Sequence, residues 1–383
     1  MFRGRSPGSQ QPHAARPRVE TVKRWRWAVV ALLVAGLASL PTVAGALPTG
    51  DSELTADQLL ERVRDSDTVG WSGFGTSRGT LVVPDVRELS DLPGLVGETT
   101  RARAWWRGPA DFRVDTLTLV GERDTVRDEV GTWTWDSADR RGVRVRGELD
   151  VRLPAAADLL APVLGHRLAG TGQTTVTRLP SRRVAGRSAA GLRLVPQDPA
   201  STTVRAVDLW AEPQSGLVLR VEVRTSAPTP SLTATLLDLR LSPPAGSLTD
   251  FPLPQQASLV AQDAPDIAAL ADRYAPYALP DRLAALPRRD RSSLSVGGGV
   301  GTYGDGFTAL ALVPLPRDLA DRVIERVDPD DDRAAVISTP LVNALVARDR
   351  GGRAYLLVGT VPQDRLTAAL VQLRADPPPL VDR

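Results

Sequence analysis

The sequence predicts a mainly β chain: a large antiparallel sheet, open or half closed, with helices against one face, followed by a small α+β unit. Three observations predict it. Across 143–153 the odd positions are Val143, Val145, Gly147, Leu149, Val151 and Leu153, and the even ones are Arg144, Arg146, Glu148, Asp150 and Arg152. A period of two over that length is a strand with one buried and one wet face. Leu217, Leu219, Val221 and Val223 against Arg220, Glu222 and Arg224 repeat the pattern, as do Leu237, Leu239 and Leu241 against Asp238 and Arg240. Finally, turn-forming clusters such as 139–142 and 213–216 punctuate the alternation, and strands joined that way build an antiparallel sheet.

Taken in order, the chain opens on a segment that is not part of the sheet. Residues 1–26 carry seven basic groups and one acid, Glu20, so the chain's net charge of +2 conceals a remainder at −4. The high pI therefore belongs partly to the tail, and nucleic acid is not an expected partner. Residues 27–40 form an apolar run, followed by Pro41 and Ala44-Gly45-Ala46. A basic stretch, an apolar core, a helix breaker and an A-x-A site read as a secretory signal peptide, whereas 27–47 retained as an anchor is the rival reading. Both place residues 51–383 on the extracytoplasmic side of the membrane.

A helix is expected at 55–64. Thr55 and Gln58 have capping-box spacing, and Ala56, Leu59, Leu60 and Val63 share one face. Strands are expected at 69–83, 101–107, 111–120, 124–136 and 141–153. Ala/Leu-rich helical spacing follows at 155–164, and strands resume at 173–178, 182–195, 202–211, 216–225 and 232–241. Composition changes near Ser242, and Pro243, Pro244, Pro252, Pro254 and Pro265 mark a linker, with a broken helical patch at 267–286. The second unit has a Gly-rich turn, a strand at 307–313, a helix at 318–327, a strand at 353–358 and a last helix entered through Pro362. That helix carries Leu366, Ala369, Leu370 and Leu373 on one face. The expected organisation is a basic tail (1–26), a signal peptide or anchor (27–47), a sheet domain (51–242), a linker (243–291), a small α+β domain (292–375) and a tail (376–383).

Composition removes several chemistries. Cys is absent, which excludes disulfides, thiolate zinc sites, thiol nucleophiles and a lipidated N-terminal Cys. His13 and Lys23 lie in the tail, so the folded part has His166 alone and no Lys for Schiff-base chemistry. Gly299-Val300-Gly301-Thr302-Tyr303-Gly304 matches G-x-G-x-x-G, but a strand-like stretch follows it where a dinucleotide fingerprint needs a helix, so it reads as a turn between strands. Asp328-Pro329-Asp330-Asp331-Asp332 resembles the start of a calcium loop, but Arg333 stands at the sixth position and Thr339 at the twelfth. No G-x-S-x-G elbow accompanies His166, which reads as a helix-terminal residue favourable to the dipole. No cofactor, metal or catalytic residue is expected, and the chain is expected not to be an enzyme.

The tryptophans carry the binding expectation. Trp71, Trp105, Trp106, Trp133, Trp135 and Trp210 all fall in the sheet region. Trp105 and Trp106 must point to opposite faces, and Trp105 shares its parity with Arg101, Arg103 and Arg107. Core filling is one reading of these rings. The other is an apolar cavity lined by Trp71, Phe74, Trp106, Trp133, Trp135 and Trp210, with arginines at its mouth for an anionic head group.

Several stretches, in order, carry a family resemblance. They are Arg183-Val184-Ala185-Gly186-Arg187, Leu192-Arg193-Leu194-Val195-Pro196-Gln197-Asp198, Asp208-Leu209-Trp210-Ala211-Glu212 and Ser215-Gly216-Leu217-Val218-Leu219-Arg220. Trp71-Ser72-Gly73, Asp305-Gly306-Phe307 and Val358-Gly359-Thr360-Val361-Pro362 extend the series. Together they resemble the MucB/RseB family of extracytoplasmic sigma-factor regulators, whose large domain belongs to the LolA/LolB-like lipoprotein-carrier superfamily. The chain departs from that pattern in the long Pro-rich stretch 247–291, in Gly297-Gly298-Gly299 and in the 318–327 helix. The resemblance implies an antiparallel half-barrel with helices plugging its concave side and a small C-terminal domain. It also implies a non-enzymatic sensor that binds lipid or lipoprotein acyl chains and a membrane-bound anti-sigma factor. A lipid or lipoprotein carrier is the alternative, and a sheet filled by its own side chains is a third reading.

Overall fold

The computed structural model describes residues 50, 52–80, 97–118, 121–147, 154–172, 174–250, 258–263, 277–289, 300–327, 333–349 and 351–379. The basic tail, the signal or anchor segment, the calcium-loop-like run and most of 251–299 lie outside them. Among the described residues, no helix is long and apolar enough to cross a membrane.

Helix α1 (Ala56–Arg64) forms where its cap predicts: Thr55 Oγ1 accepts from Gln58 N at 3.2 Å, and Gln58 Oε1 accepts from Thr55 N at 3.0 Å. Strands β1 (Trp71–Gly79), β2 (Thr99–Gly108), β3 (Asp111–Leu117), β4 (Glu122–Asp128), β5 (Gly131–Asp136) and β6 (Arg141–Arg146) follow as an antiparallel meander. The single strand expected at 124–136 is a hairpin, because Asp128 Oδ1 accepts from Val130 N (2.8 Å) and Gly131 N (2.9 Å) and turns the chain there. The strand expected to reach Leu153 ends at Arg146, and Gly147 takes φ +82°; residues 148–153 lie outside the described set.

A 3₁₀ turn (Ala156–Leu159) and helix α2 (Ala161–Ala169) come next, the helix extending past the stretch that periodicity marks. Strands β7 (Thr174–Val184) and β8 (Arg187–Pro196) meet at a two-residue turn, Ala185-Gly186, with both φ positive. The expected boundary at Arg182 is therefore corrected, since 182–184 complete β7. Strands β9 (Ala206–Ala211), β10 (Val218–Arg224) and β11 (Leu232–Arg240) return the chain to β1. One further strand, β12 (Ser258–Asp263), lies parallel to β6 with every residue exposed, and the sequence pattern did not announce it.

These twelve strands make one sheet in the order β12-β6-β5-β4-β3-β2-β1-β11-β10-β9-β8-β7. It does not close, because β12 and β7 are both edges. The sheet is antiparallel apart from the β12–β6 pair, and its helices lie on one face, as a half-barrel requires.

The helix-covered face is apolar. Leu192, Leu194, Val207, Leu209, Val221 and Val223 from β8–β10 pack with Leu59, Leu60 and Val63 of α1 and Ala161 and Ala169 of α2. Gly165 lets α2 reach the sheet, since a Cβ there would stand 2.5–2.7 Å from the Val218 side chain. Gly216, at φ +72° in the β9–β10 turn, lies against the backbone of Arg62.

Over β7–β10 the opposite, outer face is polar and internally paired. Asp208, fully buried, takes two bonds from Arg193 (2.7 and 2.8 Å) and one from Arg224 Nε (2.5 Å). Arg224, Arg220 and Arg182 converge on Glu222 at 2.5, 2.8 and 3.2 Å. Burial pushes the Asp208 carboxyl up, but the hydrogen bonds and charges of Arg193 and Arg224 outweigh it and hold it below the usual carboxylate range. Asp124 on β4 has the reverse balance. Burial and the facing Asp115 raise it to about 6 against the pull of Arg113, and its Oδ1 has no partner.

The C-terminal part is built on a second sheet. A short hairpin, β13 (Arg282–Leu283) and β14 (Leu286–Pro287), stands where a helical patch was expected; Ala284 and Ala285 at its turn both take positive φ. Strands β15 (Gly301–Tyr303), β16 (Leu310–Leu315), β17 (Ala334–Ser338), β18 (Asn343–Arg348) and β19 (Ala354–Gly359) form an antiparallel sheet in the order β15-β16-β19-β18-β17. The G-x-G-x-x-G match falls on β15 and the turn after it, with no helix behind it; Gly299 lies outside the described residues. Helix α3 (Arg317–Val327) packs Ala320, Val323 and Ile324 on Val346 and Ala335. Helix α4 (Gln363–Ala375) buries Leu366, Ala369, Leu370 and Leu373, the four residues its periodicity selects.

The loop between β8 and β9 ties the two sheets together. Thr202 Oγ1 lies 2.9 Å from the carbonyls of Phe307 and Thr360, and Thr203 Oγ1 donates to Leu341 O at 2.5 Å. Phe307 and Leu341 are buried in the same core as α1 and β8–β10.

Two outcomes are expected. Gly165→Ala should push α2 off β10 and cost about 1–3 kcal/mol in urea unfolding. Asp124 is raised in the folded state, so that state binds the extra proton and its relative stability rises as pH falls from about 6 towards 4. Asp124→Asn should therefore stabilise the protein by about 1–3 kcal/mol at pH 7.5 and by close to nothing at pH 4, read from urea midpoints at the two pH values.

Candidate functional site

A cavity opens on the helix-covered face, between the strands β2–β6 and the 3₁₀ turn with α2. Its volume is about 480 Å³. Trp106, Phe112, Val145, Ala157 and Val163 give it apolar walls, and Thr125, Thr132, Thr134, Arg127 and Arg167 give it polar ones. A smaller cavity of about 220 Å³ adjoins it through Trp106, Pro109, Val163 and Arg167 and runs in to Trp71, Pro162 and Leu217. Both cavities share one roof, α2.

Register explains the lining. Trp71 pairs with Trp106, Trp106 with Phe112, Phe112 with Arg127, Arg127 with Thr132 and Thr132 with Val145, so one row of side chains crosses five strand pairs on the same face. In the next row Val114 faces Thr125, Thr125 faces Thr134, and Thr134 faces Val143. The aromatic part of the first row is stacked: Trp71 and Trp106 centroids are 6.4 Å apart, and Trp106 and Phe112 are 4.7 Å apart. Trp106 Nε1 donates to Asp67 O at 3.0 Å, which fixes the ring edge-on to the helical cap.

Charge at the opening is also fixed. Arg167 Nη1 stands 2.6 Å from Asp158 Oδ1, and Asp158 Oδ2 accepts from Ala155 N at 2.7 Å. Asp158 is 7 % exposed at its side chain and Arg167 55 %, so the pair is anchored inside and presents its guanidinium outward. Arg127 Nη1 donates to Thr132 Oγ1 at 2.9 Å across the cavity floor. His166 lies in the last turn of α2 with Nδ1 3.4 Å from Val63 O, near the dipole's negative end; it packs helix against helix.

The six aromatic residues singled out from the sequence divide between the two faces. Trp71 and Trp106 line the cavities. Phe74 pairs with Arg103 and Asp238 on the outer face. Trp133 and Trp135 share that outer face, the first under Arg144 at 4.5 Å. Trp210 alternates with Leu209 and Ala211 of the helix-packed core; it lies under Arg182 at 4.0 Å and donates to Pro180 O at 3.1 Å. The lining residues Phe112, Thr125, Thr132, Thr134 and Val163 were not named from the sequence. Strand parity counted outwards from Trp106 would have found four of them, but only with the strand pairing known.

Asp115, Glu122 and Asp124 on the outer face bring carboxylate oxygens within 4.8 Å of one another. Arg113 already lies among them, 2.6 Å from Asp115 and 3.2 Å from Asp124, and supplies the counter-charge a cation would bring.

No family model matches the chain, and no curated protein matches it. Solved structures do. The MucB chain of a Pseudomonas aeruginosa MucA/MucB complex is similar at 17 % identity and TM-score 0.47, over 82 % of this chain and 96 % of that one. A LolA superfamily protein from Nitrosomonas europaea is similar at 13 % identity and TM-score 0.24, over 52 % and 98 %. A putative outer membrane lipoprotein-sorting protein domain from Vibrio parahaemolyticus stands at 13 % identity and TM-score 0.22, over 49 % and 91 %.

Asp158→Ala should leave Ala155 N–H without its acceptor and Arg167 without its anchor. The expected cost is about 1–3 kcal/mol in urea unfolding, and Asp158→Asn, which keeps one acceptor, should cost less.

Proposed function

We propose that this chain is a non-enzymatic extracytoplasmic regulator that holds an apolar lipid or lipoprotein acyl group under α2 and engages an anti-sigma-factor-like membrane partner. The observation that carries the reading is the cavity between the Trp106–Phe112 stack and α2. At about 480 Å³ it falls in the range of small-molecule sites, and it combines apolar walls with a few fixed polar groups. Each methylene buried there contributes about 0.8 kcal/mol, so a chain of moderate length binds without help from its head group. The ordered motif resemblance over the two sheets supplies the regulator half of the reading. A carrier of the same fold is the second reading. The small C-terminal unit favours regulation, because it is bonded into the large sheet through Thr202, Thr203 and Phe307 and offers a second surface for a partner.

The experiment is native mass spectrometry of the purified protein. Lipid-sized adducts are expected, and they should disappear in Thr134→Trp, which fills the cavity from its floor; an apo mass for the unaltered protein overturns the reading. Co-precipitation with a membrane-bound anti-sigma-factor-like protein from the same cells separates the two readings: retention supports the regulator and its absence supports the carrier.

A further inference from the structure

The outer face of the large sheet holds a surface that the cavity does not use. On β1 the residues Ser72, Phe74, Thr76 and Arg78 alternate away from Trp71 and point outward. Register sets Trp105 and Arg240 beside Ser72, Arg103 and Asp238 beside Phe74, and Arg101 and Thr235 beside Thr76. Arg78, Arg101, Arg103 and Arg240 are all exposed, and none has a carboxylate partner among the described residues. They form a stripe across three adjacent strands, about 20 Å long at the rise of an antiparallel strand. Asp238 is the one carboxylate on these rows of β11, β1 and β2.

Apolar side chains project from the same stripe. The register shift between Phe74 and Gly75 leaves Leu237 as the extra residue of β11, and it is 56 % exposed. Leu117, opposite Arg101 on β3, is 48 % exposed. Phe74 and Trp105 are half-buried between the arginines. On the far side Asp115 is the cross-strand neighbour of Arg103, but it is bonded to Arg113, as is Asp124, and Glu122 lies two strands from Arg101, so among the described residues none of these carboxylates is paired with the four arginines.

The geometry points to a membrane-contact face: this stripe docks on the head groups of an anionic bilayer, with Leu117 and Leu237 entering the interface. Arginine spaced among apolar and aromatic side chains is the chemistry of an interfacial surface. The alternatives fit less well. Trp105 already carries Arg103 at 5.9 Å and Arg113 at 5.5 Å over its ring, and a stacking nucleic-acid base would compete with them for it. None of the cavities described above opens on the stripe to seat a protein anchor residue. A bilayer needs neither. It offers dispersed negative charge over an apolar layer, which matches spread arginines with leucines between them.

The absence of Cys makes the test direct. Leu117→Cys gives the full chain a single thiol for an environment-sensitive fluorophore, and Val371→Cys on α4, also exposed, is the control. Vesicles of phosphatidylcholine with phosphatidylglycerol should blue-shift the label at 117 and leave that at 371 unchanged, and pure phosphatidylcholine should shift neither. Combining Arg101→Gln, Arg103→Gln and Arg240→Gln should raise the vesicle concentration for the half-maximal shift about 100-fold, at about five-fold per arginine. The basic N-terminal tail is common to all variants, so it cannot produce that difference. A silent label at 117, or an unchanged titration in a triple variant of unaltered urea midpoint, overturns the proposal. So does a shift at 117 produced by an acidic polypeptide and not by the vesicles, which assigns the face to a protein.

Discussion

The approach of one helix to one strand governs this molecule. A twelve-stranded sheet presents two broad faces, and a half-apolar face left in water has no stable existence. Gly165 lets α2 come down on Val218, and the 3₁₀ turn ahead of it follows. The helix meets the sheet over β10, and the cavity lies beside it over β2–β6, with Trp106 and Phe112 in its wall. The cavity is thus a mismatch between a short roof and a wide floor. Its aromatic and polar ends both follow from the row of side chains that runs from Trp71 to Val145.

The outer face meets the opposite requirement. It has no helix to cover it, yet Asp208 and Glu222 are buried there. Long arginine stems reach sideways across β7–β10 and cover the carboxylates, with the aliphatic parts of those stems shielding the sheet. The bidentate Arg193–Asp208 pair is the geometry in which guanidinium and carboxylate match best. Where the same device is short of arginine, around Asp124, the sheet retains a strained carboxyl instead.

Sequence periodicity made the strands legible because each face imposes its own chemistry on every second residue. It located α1 through Thr55 and Gln58, and α4 through its apolar face. It failed where local chemistry overrides alternation. Asp128 folds 124–136 into a hairpin, the bulge at Leu237 turns an apolar residue outward, and Ala284-Ala285 makes a turn from residues that favour helix. The cavity was only half legible. Composition pointed to tryptophan, but parity within a strand does not say which face is inner. Trp133 and Trp135 share a face with each other and not with Trp106, and that depends on pairing through β3 and β4, which no local pattern contains. Strand β12 was invisible for a related reason: all its residues are exposed, so no alternation marks it.

The joint between the sheets has a mechanical consequence. The β8–β9 loop, far in sequence from the passage between the two sheets, bonds directly to the small one. Strand β9 begins two residues after Val204 and carries Asp208 and Trp210 within its first five positions. A load on the small unit is therefore delivered at the head of a strand that is buried along its whole length. One methyl or hydroxyl changed at Thr202 thus acts on both sheets at once, since its Oγ1 meets the carbonyls of Phe307 and Thr360.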